Sequence, residues 1–146
     1  MRWLLGQTKF APQRFDVRLL HDEQVSARPH VAPDRWWRHW WCKIPELGEE
    51  RETDIFLVFE LIGSDARFAL HIENKPGGRF QPRQAEGYEP RARHMANTAR
   101  YLNYQDFETV LIAPVAFREQ WKASSDLFDS YVPYDHISDF LPEFRV

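Results

Sequence analysis

Two short runs of Phe, Ile, Leu and Val dominate the hydrophobic pattern, at residues 54–62 and 66–73, and both are bounded by Gly, Ser, Asp and Pro. Runs of this length, rich in β-branched and aromatic residues, predict strands. The five successive apolar residues from Ile55 to Phe59 suit a strand covered on both faces. Between the runs, Gly63-Ser64 predicts a two-residue hairpin turn, with the glycine supplying a positive φ. That turn pairs Ile62 with Asp65 and sets Asp54 opposite Glu73, whereas a four-residue loop over 63–66 sets Asp54 opposite Lys75. Side chains alternate along a strand and directly opposed residues share a face. In either register Asp54, Glu73 and Lys75 therefore gather at one end of the hairpin, while Asn74 points away. A slip by one residue disperses them.

The pattern elsewhere is less regular. Phe15 to Val25 reads as an amphipathic helix through Phe15, Val17, Leu19 and Leu20, stopped at Arg28-Pro29 and Ala32-Pro33. Trp36-Trp37-Arg38-His39-Trp40-Trp41 fits a helix with one broad aromatic face, or a strand that continues through Cys42-Lys43-Ile44 and turns over 45–51 into the hairpin. At least half of these tryptophans are expected in the core. Exposed ones offer a surface for unpaired bases or for a homodimer. His39 is expected to be a hydrogen-bonded neighbour and not a ligand. Farther on, Thr109 to Ala113 predicts a buried strand, Ala116 to Phe128 a helix, Tyr131-Val132 an edge strand and Tyr134 to Leu141 a last amphipathic helix. Strands alternating with helices imply a mixed sheet flanked by helices. The length of 146 residues fits one domain, with an irregular or helical segment over 1–34 and a core over 35–141.

Two carboxylates at close range repel unless a proton or a cation lies between them. An oxygen-rich site of that kind suits Mg²⁺ or Mn²⁺, which lower the pKa of a bound water and neutralise charge on a phosphate. A lysine one strand-step from the acid can orient or deprotonate such a water. Taken alone, an acid-x-lysine triplet is a solvated strand end with an ion pair; the buried strands and the register favour the chemistry.

Thr53-Asp54-Ile55, Ile72-Glu73-Asn74-Lys75 and Gln84-Ala85-Glu86-Gly87-Tyr88 together resemble the PD-(D/E)XK nuclease superfamily, in the branch with a Gln-x-x-x-Tyr helix, over roughly residues 40–141. The resemblance implies an α/β (α+β) restriction-endonuclease-like core, a central mixed sheet of four to five strands flanked by helices. It also implies Asp54, Glu73 and Lys75 as catalytic residues. Asp54, Glu73 and the backbone carbonyl of Asn74 would be Mg²⁺ or Mn²⁺ ligands, and Gln84 and Tyr88 would line the site or contact a nucleic-acid strand. Thr53 stands where the family has proline. Gly87 and Pro90 interrupt the helix that should carry Gln84 and Tyr88, so a kink is expected near Glu89-Pro90 before the helix continues to about Leu102. The family's N-terminal glutamate has four candidates here: Glu23, Glu46, Glu49 and Glu50.

A net charge of −3 does not advertise a nucleic-acid binder. Locally, however, Lys75, Arg79, Arg83, Arg91, Arg93 and Arg100 face only Glu86 and Glu89, and clustered cations set affinity for phosphate. Arg79 and Arg83 are therefore candidate strand contacts. The single cysteine, Cys42, excludes a disulfide framework and a multi-cysteine zinc site. No run is long enough for a signal peptide or a membrane span, so a cytoplasmic location is expected. The primary expectation is a metal-dependent nuclease acting on DNA more readily than RNA. The alternative is a catalytically silent nuclease-fold module that binds nucleic acid or protein. A two-carboxylate glycosidase ranks last, because it leaves Lys75 and the arginines without a role.

Overall fold

A computed structural model describes residues 1–139 and Leu141, with Glu46 and Glu49 described in backbone only. Its elements, in order, are α1 (Arg2–Gly6), β1 (Val17–Leu19), α2 (His21–Ala27), β2 (Arg38–Ile44), β3 (Glu49–Leu61), β4 (Arg67–Asn74), α3 (Tyr88–Met95), β5 (Asp106–Ala113), α4 (Val115–Gln120), α5 (Lys122–Ser125), β6 (Ser130–Pro133) and α6 (Tyr134–Ser138). The fold is α+β, with a mixed six-stranded sheet flanked by helices.

The central hairpin keeps the register predicted by the short turn, from Ile55 opposite Ile72 to Glu60 opposite Arg67. Its turn differs. Ile62 and Asp65 do not pair; Leu61 N donates to Ala66 O at 2.9 Å, and Gly63 takes φ +80° within the four-residue loop 62–65. Ile62 N instead donates to Asp16 O at 2.8 Å, so the chain before β1 takes the bond that a tight turn would have used. β4 and β6 flank β5 in parallel.

The sheet has six strands where four to five were expected, because the 1–34 segment contributes one. Val17, Arg18 and Leu19, expected in a helix, pair antiparallel with Leu61, Glu60 and Phe59. The tryptophan stretch adopts the extended alternative: β2 pairs with residues 49–55 of β3. The turn between them is therefore shorter than expected, and β3 begins at Glu49. One edge of β3 is thus shared by two strands, β2 on its first half and β1 on its end.

The gap between them, residues 56–58, would leave backbone groups unpaired in the core. Side chains and neighbouring chain fill it. Gln24, fully buried on α2, donates Nε2 to Phe56 O at 2.9 Å and accepts from Val58 N at 2.8 Å. Phe56 N reaches Trp37 O at 2.8 Å, and Leu20 N reaches Val58 O at 2.9 Å. The amide of Gln24 acts as a one-residue substitute for a strand.

Each sheet face carries its own core. Leu57, Phe59, Leu70, Ile72, Val110 and Ile112 pack against Leu5 and Tyr134 on one side. Trp40, Phe56, Val58 and Ala69 pack with Met95 and Tyr104 on the other, the side covered by α3. The expected kinked helix over 84–102 is a series of turns up to Gly87 followed by α3, and residues 99–101 form a separate 3₁₀ turn. Pro90 does not kink α3, because it lies in the first turn, where a missing N–H removes no intrahelical bond. The helix expected over 116–128 is broken at Trp121 into α4 and α5. The last helix ends at Ser138, and Phe140 of the expected continuation lies outside the described residues. No helix among the described residues is long and apolar enough to cross a membrane.

Replacing Gln24 by alanine should strand the Phe56 carbonyl and the Val58 N–H together, at about 2–5 kcal/mol for two buried unpaired groups. Urea unfolding of the Gln24→Ala variant measures it; a loss well under 1 kcal/mol would mean that water or a backbone shift reaches the gap.

Candidate metal and acid–base centre

At the end of β4, Glu73 emerges on the α3 side of the sheet at 1% exposure. A buried carboxylate needs donors, and three side chains supply them. Lys75 Nζ lies 3.0 Å from Oε1, Gln84 Nε2 donates to Oε1 at 2.8 Å, and the Tyr88 hydroxyl donates to Oε2 in a short hydrogen bond. Gln84 precedes α3 and Tyr88 is its first residue. The two reach one carboxylate because the turns before the helix keep Tyr88 stacked inward: Gly87 N donates to Arg83 O at 3.1 Å and Tyr88 N to Ala85 O at 3.3 Å.

Asp54 joins this group across the hairpin. Its Oδ2 accepts from Asn74 N at 3.2 Å, and its own N–H donates to the Tyr88 hydroxyl at 3.3 Å. Asn74 is held from the opposite face by Tyr134, whose hydroxyl donates to Oδ1 at 2.7 Å. Burial, and then the nearby Asp54 charge, push the Glu73 carboxyl up to about 7. Asp54 is also raised, by burial first, against the pull of its Asn74 hydrogen bond. Tyr88, buried beside two carboxylates, stays protonated far above neutrality.

Beneath this group runs a buried polar chain that the sequence reading left mostly unassigned. Arg91 Nε donates to Thr53 Oγ1 at 3.0 Å, which lies 3.1 Å from His71 Nδ1, and His71 Nε2 lies 3.0 Å from the Tyr104 hydroxyl. The Tyr104 hydroxyl donates in turn to Ala92 O. With burial holding His71 neutral, both of its ring nitrogens are satisfied if Thr53 donates to Nδ1 and Nε2–H donates to Tyr104. His71 is thus a hydrogen-bonded core histidine that ties β4 to α3.

A second set of ligands meets Asp54 from the other side. Arg38 opposite Ile55 and Trp40 opposite Thr53 place His39 across from Asp54. Strict alternation fails here. Thr53 bonds His71 and Arg91 on the α3 side, and Phe56, three residues on, packs on that same side. His39 sits at the same switch with φ +53°, a conformation unusual for a side chain with a Cβ. As a result His39, Glu52 and Asp54 each offer a ligand atom within 4.8 Å of the others. His39 Nδ1 lies 2.8 Å from Glu52 Oε2.

Of the residues singled out in the sequence, the fold brings together Asp54, Glu73, Asn74, Lys75, Gln84 and Tyr88. Tyr88 is buried and its hydroxyl faces Glu73, so it offers no surface to a strand; Gln84 is half-buried against the same carboxylate. Arg79 and Arg83 are exposed. Arg83 borders an apolar hollow with Leu47 and Pro90. Glu23, one candidate for a further ligand, pairs instead with Arg18 at 2.8 Å. His39 is hydrogen-bonded as expected, its Nε2 lying 2.8 Å from Arg38 Nη2, whereas Glu52 was not singled out in the sequence. The signal lay in the spacing of Ile44 and Glu49 around Pro45–Gly48, which sets His39 opposite Asp54.

Carboxylates with one imidazole form a donor set for a hard or borderline divalent cation. The raised carboxyl at Glu73 reflects its burial first and the neighbouring Asp54 charge second. Comparison with family models, curated proteins and solved structures found no match for this chain.

With no metal added, Glu73 in the folded protein keeps a proton that an unfolded chain releases near 4.5. Stability should therefore fall as pH rises from about 4.5 to about 7, by about 2–4 kcal/mol. Glu73→Gln should remove most of that slope in denaturant melts run with a chelator. A slope unchanged in the variant would assign it to other groups.

Proposed function

We propose that the protein is a Mg²⁺- or Mn²⁺-dependent nuclease built on a restriction-endonuclease-like core, hydrolysing phosphodiester bonds of DNA. The observation that supports this reading most is the meeting of Asp54 and Glu73 across one hairpin register, with the Lys75 ammonium 3.0 Å from the buried carboxylate. When bound, a divalent cation would acidify a water and neutralise charge growing on a phosphate. Asp54 is the natural first ligand: its Oδ2 takes only the Asn74 N–H, and it also faces His39 and Glu52. Glu73 adds a second carboxylate. Lys75 stands where it can hold or move a proton at the attacking oxygen. Tyr88 and Gln84 fix the rotamer of Glu73 and act on the substrate only through it.

One observation favours a second reading, a silent binding module of the same fold. Glu73 already has three donors, on both of its oxygens, without any cation. A site content with its own partners has less to gain from a metal.

Two measurements separate the readings. Mn²⁺ should raise the melting temperature of the wild-type protein, more at pH 8 than at pH 5.5 because protons compete for the same carboxylates. Asp54→Asn should abolish that rise. Circular and linear, single- and double-stranded DNA incubated with Mn²⁺ should be cut, and Lys75→Ala should lower the rate by at least a hundredfold, the usual range for a positioned acid–base group being about 10²–10⁴. No cleavage of any substrate, or cleavage untouched by Lys75→Ala, would sink the nuclease reading and leave the binding module.

A further inference from the structure

A cavity of about 340 Å³ opens between α2, the loop 28–37 and β2. It is lined by Arg28, Arg35, Arg38 and Arg100 with His30 and His39, and by no carboxylate. In a chain of net charge −3 that is a marked segregation. None of the four arginines forms an ion pair with an acid among the described residues. Arg28 is a structural cation. It donates Nη1 to His39 O at 3.0 Å and Nη2 to the carbonyls of Arg35, Trp36 and Arg38, and it stacks 4.1 Å over Trp40. Carbonyls spread its charge without cancelling it. Arg35 and Arg100 are exposed at the rim.

Trp41 completes the wall. It is 48% exposed, while its neighbour Trp40 is buried. Trp41 also borders a second cavity, of about 390 Å³, shared with Glu50, Arg51, Glu52, Gln84 and Arg91. The indole thus stands between the basic cavity and the hollow that leads to the Glu73 partners, and His39 is common to the basic cavity and the His39–Glu52–Asp54 group.

We propose that this cavity holds a nucleotide of single-stranded DNA, its phosphate against Arg35, Arg38 and Arg100 and its base stacked on Trp41. Cations unpaired with acids attract phosphate through counterion release. An exposed indole beside them attracts an unpaired base, whose π-face is free, whereas in a duplex that face is covered by its neighbours. From there the strand crosses Trp41 into the second cavity, which Glu52 and Gln84 line. The assignment rests on the nuclease reading for its purpose but not for its test.

The test is binding without chemistry. Tryptophan fluorescence of the full chain is titrated with a twelve-residue oligo(dT) and with a duplex of equal length, in a chelator so that no cleavage occurs. The single strand should bind more tightly and quench the emission. Trp41→Ala, followed by anisotropy of labelled oligo(dT), should weaken binding about 5- to 100-fold, the range for one stacked base. The double variant Arg35→Ala/Arg100→Ala should weaken it and lower the slope of log affinity against log salt by about 1.4, two phosphate contacts on a single strand. Lys122→Ala, on α5 beside the opposite edge of the sheet, should leave affinity unchanged. All four proteins should melt alike, since these side chains are exposed. Equal binding by the Trp41 and arginine variants, an equal loss in Lys122→Ala, or tighter binding of duplex would overturn the assignment. Binding as expected with no metal-dependent cutting would keep this inference and remove the nuclease; cutting with no contribution from the cavity would do the reverse.

Discussion

The interior position of the Glu73 carboxylate is the constraint around which this fold is arranged. A carboxyl at 1% exposure is tolerable only if its oxygens are met, and the protein meets them from a segment that is also held down by Phe80, Ala85 and Tyr88 packing with Leu111, Phe117 and Phe128. Lys75 follows β4 directly, but Gln84 and Tyr88 must be brought over the sheet by the loop 76–87. Tyr88 then opens α3, and α3 covers the face that holds Trp40, Phe56 and Ala69. The polar demand of Glu73 and this apolar packing act together on the segment that leads into the covering helix. Below it, Arg91, Thr53, His71 and Tyr104 repeat the logic: each buried polar group is answered by the next, from the helix through the sheet and back to the helix backbone at Ala92.

A second constraint acts from the edge of β3. Two strands share that edge, and the interval between them is closed by the side-chain amide of Gln24 and not by a strand. Just before the interval, β2 and β3 both switch the faces their side chains address, at His39 and at Asp54. Such a break in a sheet edge costs regular pairing and re-aims side chains. Here it turns Asp54 towards His39 and Glu52 on one side while its carboxylate still caps Asn74 N–H on the other. The irregularity, and not the regular hairpin, makes Asp54 common to two groups.

This division explains what could be read from the sequence. The hairpin register was legible from the Gly63-Ser64 turn signal, although the loop itself is longer, and the grouping of Asp54, Glu73 and Lys75 followed from it. β5 and β6 were legible as short apolar runs closed by proline. The helical readings failed where local pattern and tertiary pairing disagreed. Val17 to Leu19 carries a helix-like spacing, yet the open end of β3 offers it backbone partners that no pattern reveals. Pro90 looked like a helix interruption only because the helix was expected to begin at Gln84. His39 was legible as a hydrogen-bonded neighbour, but its approach to Asp54 depends on a left-handed φ, which a histidine does not announce. Gln24 was invisible too: a glutamine on an amphipathic segment looks solvated until a gap in the sheet claims its amide.

The charge balance at the centre remains uneven, and the unevenness has a direction. Glu73 is saturated with donors, whereas Asp54 receives one backbone N–H and sits against Glu52, whose own neighbour is an imidazole. Arg91 contributes a buried guanidinium, drawn down by burial and held up in part by the Glu73 charge. Its Nη2 has no hydrogen-bond partner among the described residues. Positive charge is therefore fixed beneath Glu73, and negative charge accumulates outward, at Asp54 and Glu52. The least satisfied carboxylates are thus the outer ones, and the most satisfied one is the deepest. Burial and the Asp54 charge both favour a proton on Glu73, deep in the fold, while Asp54 faces His39 and Glu52 nearer the surface.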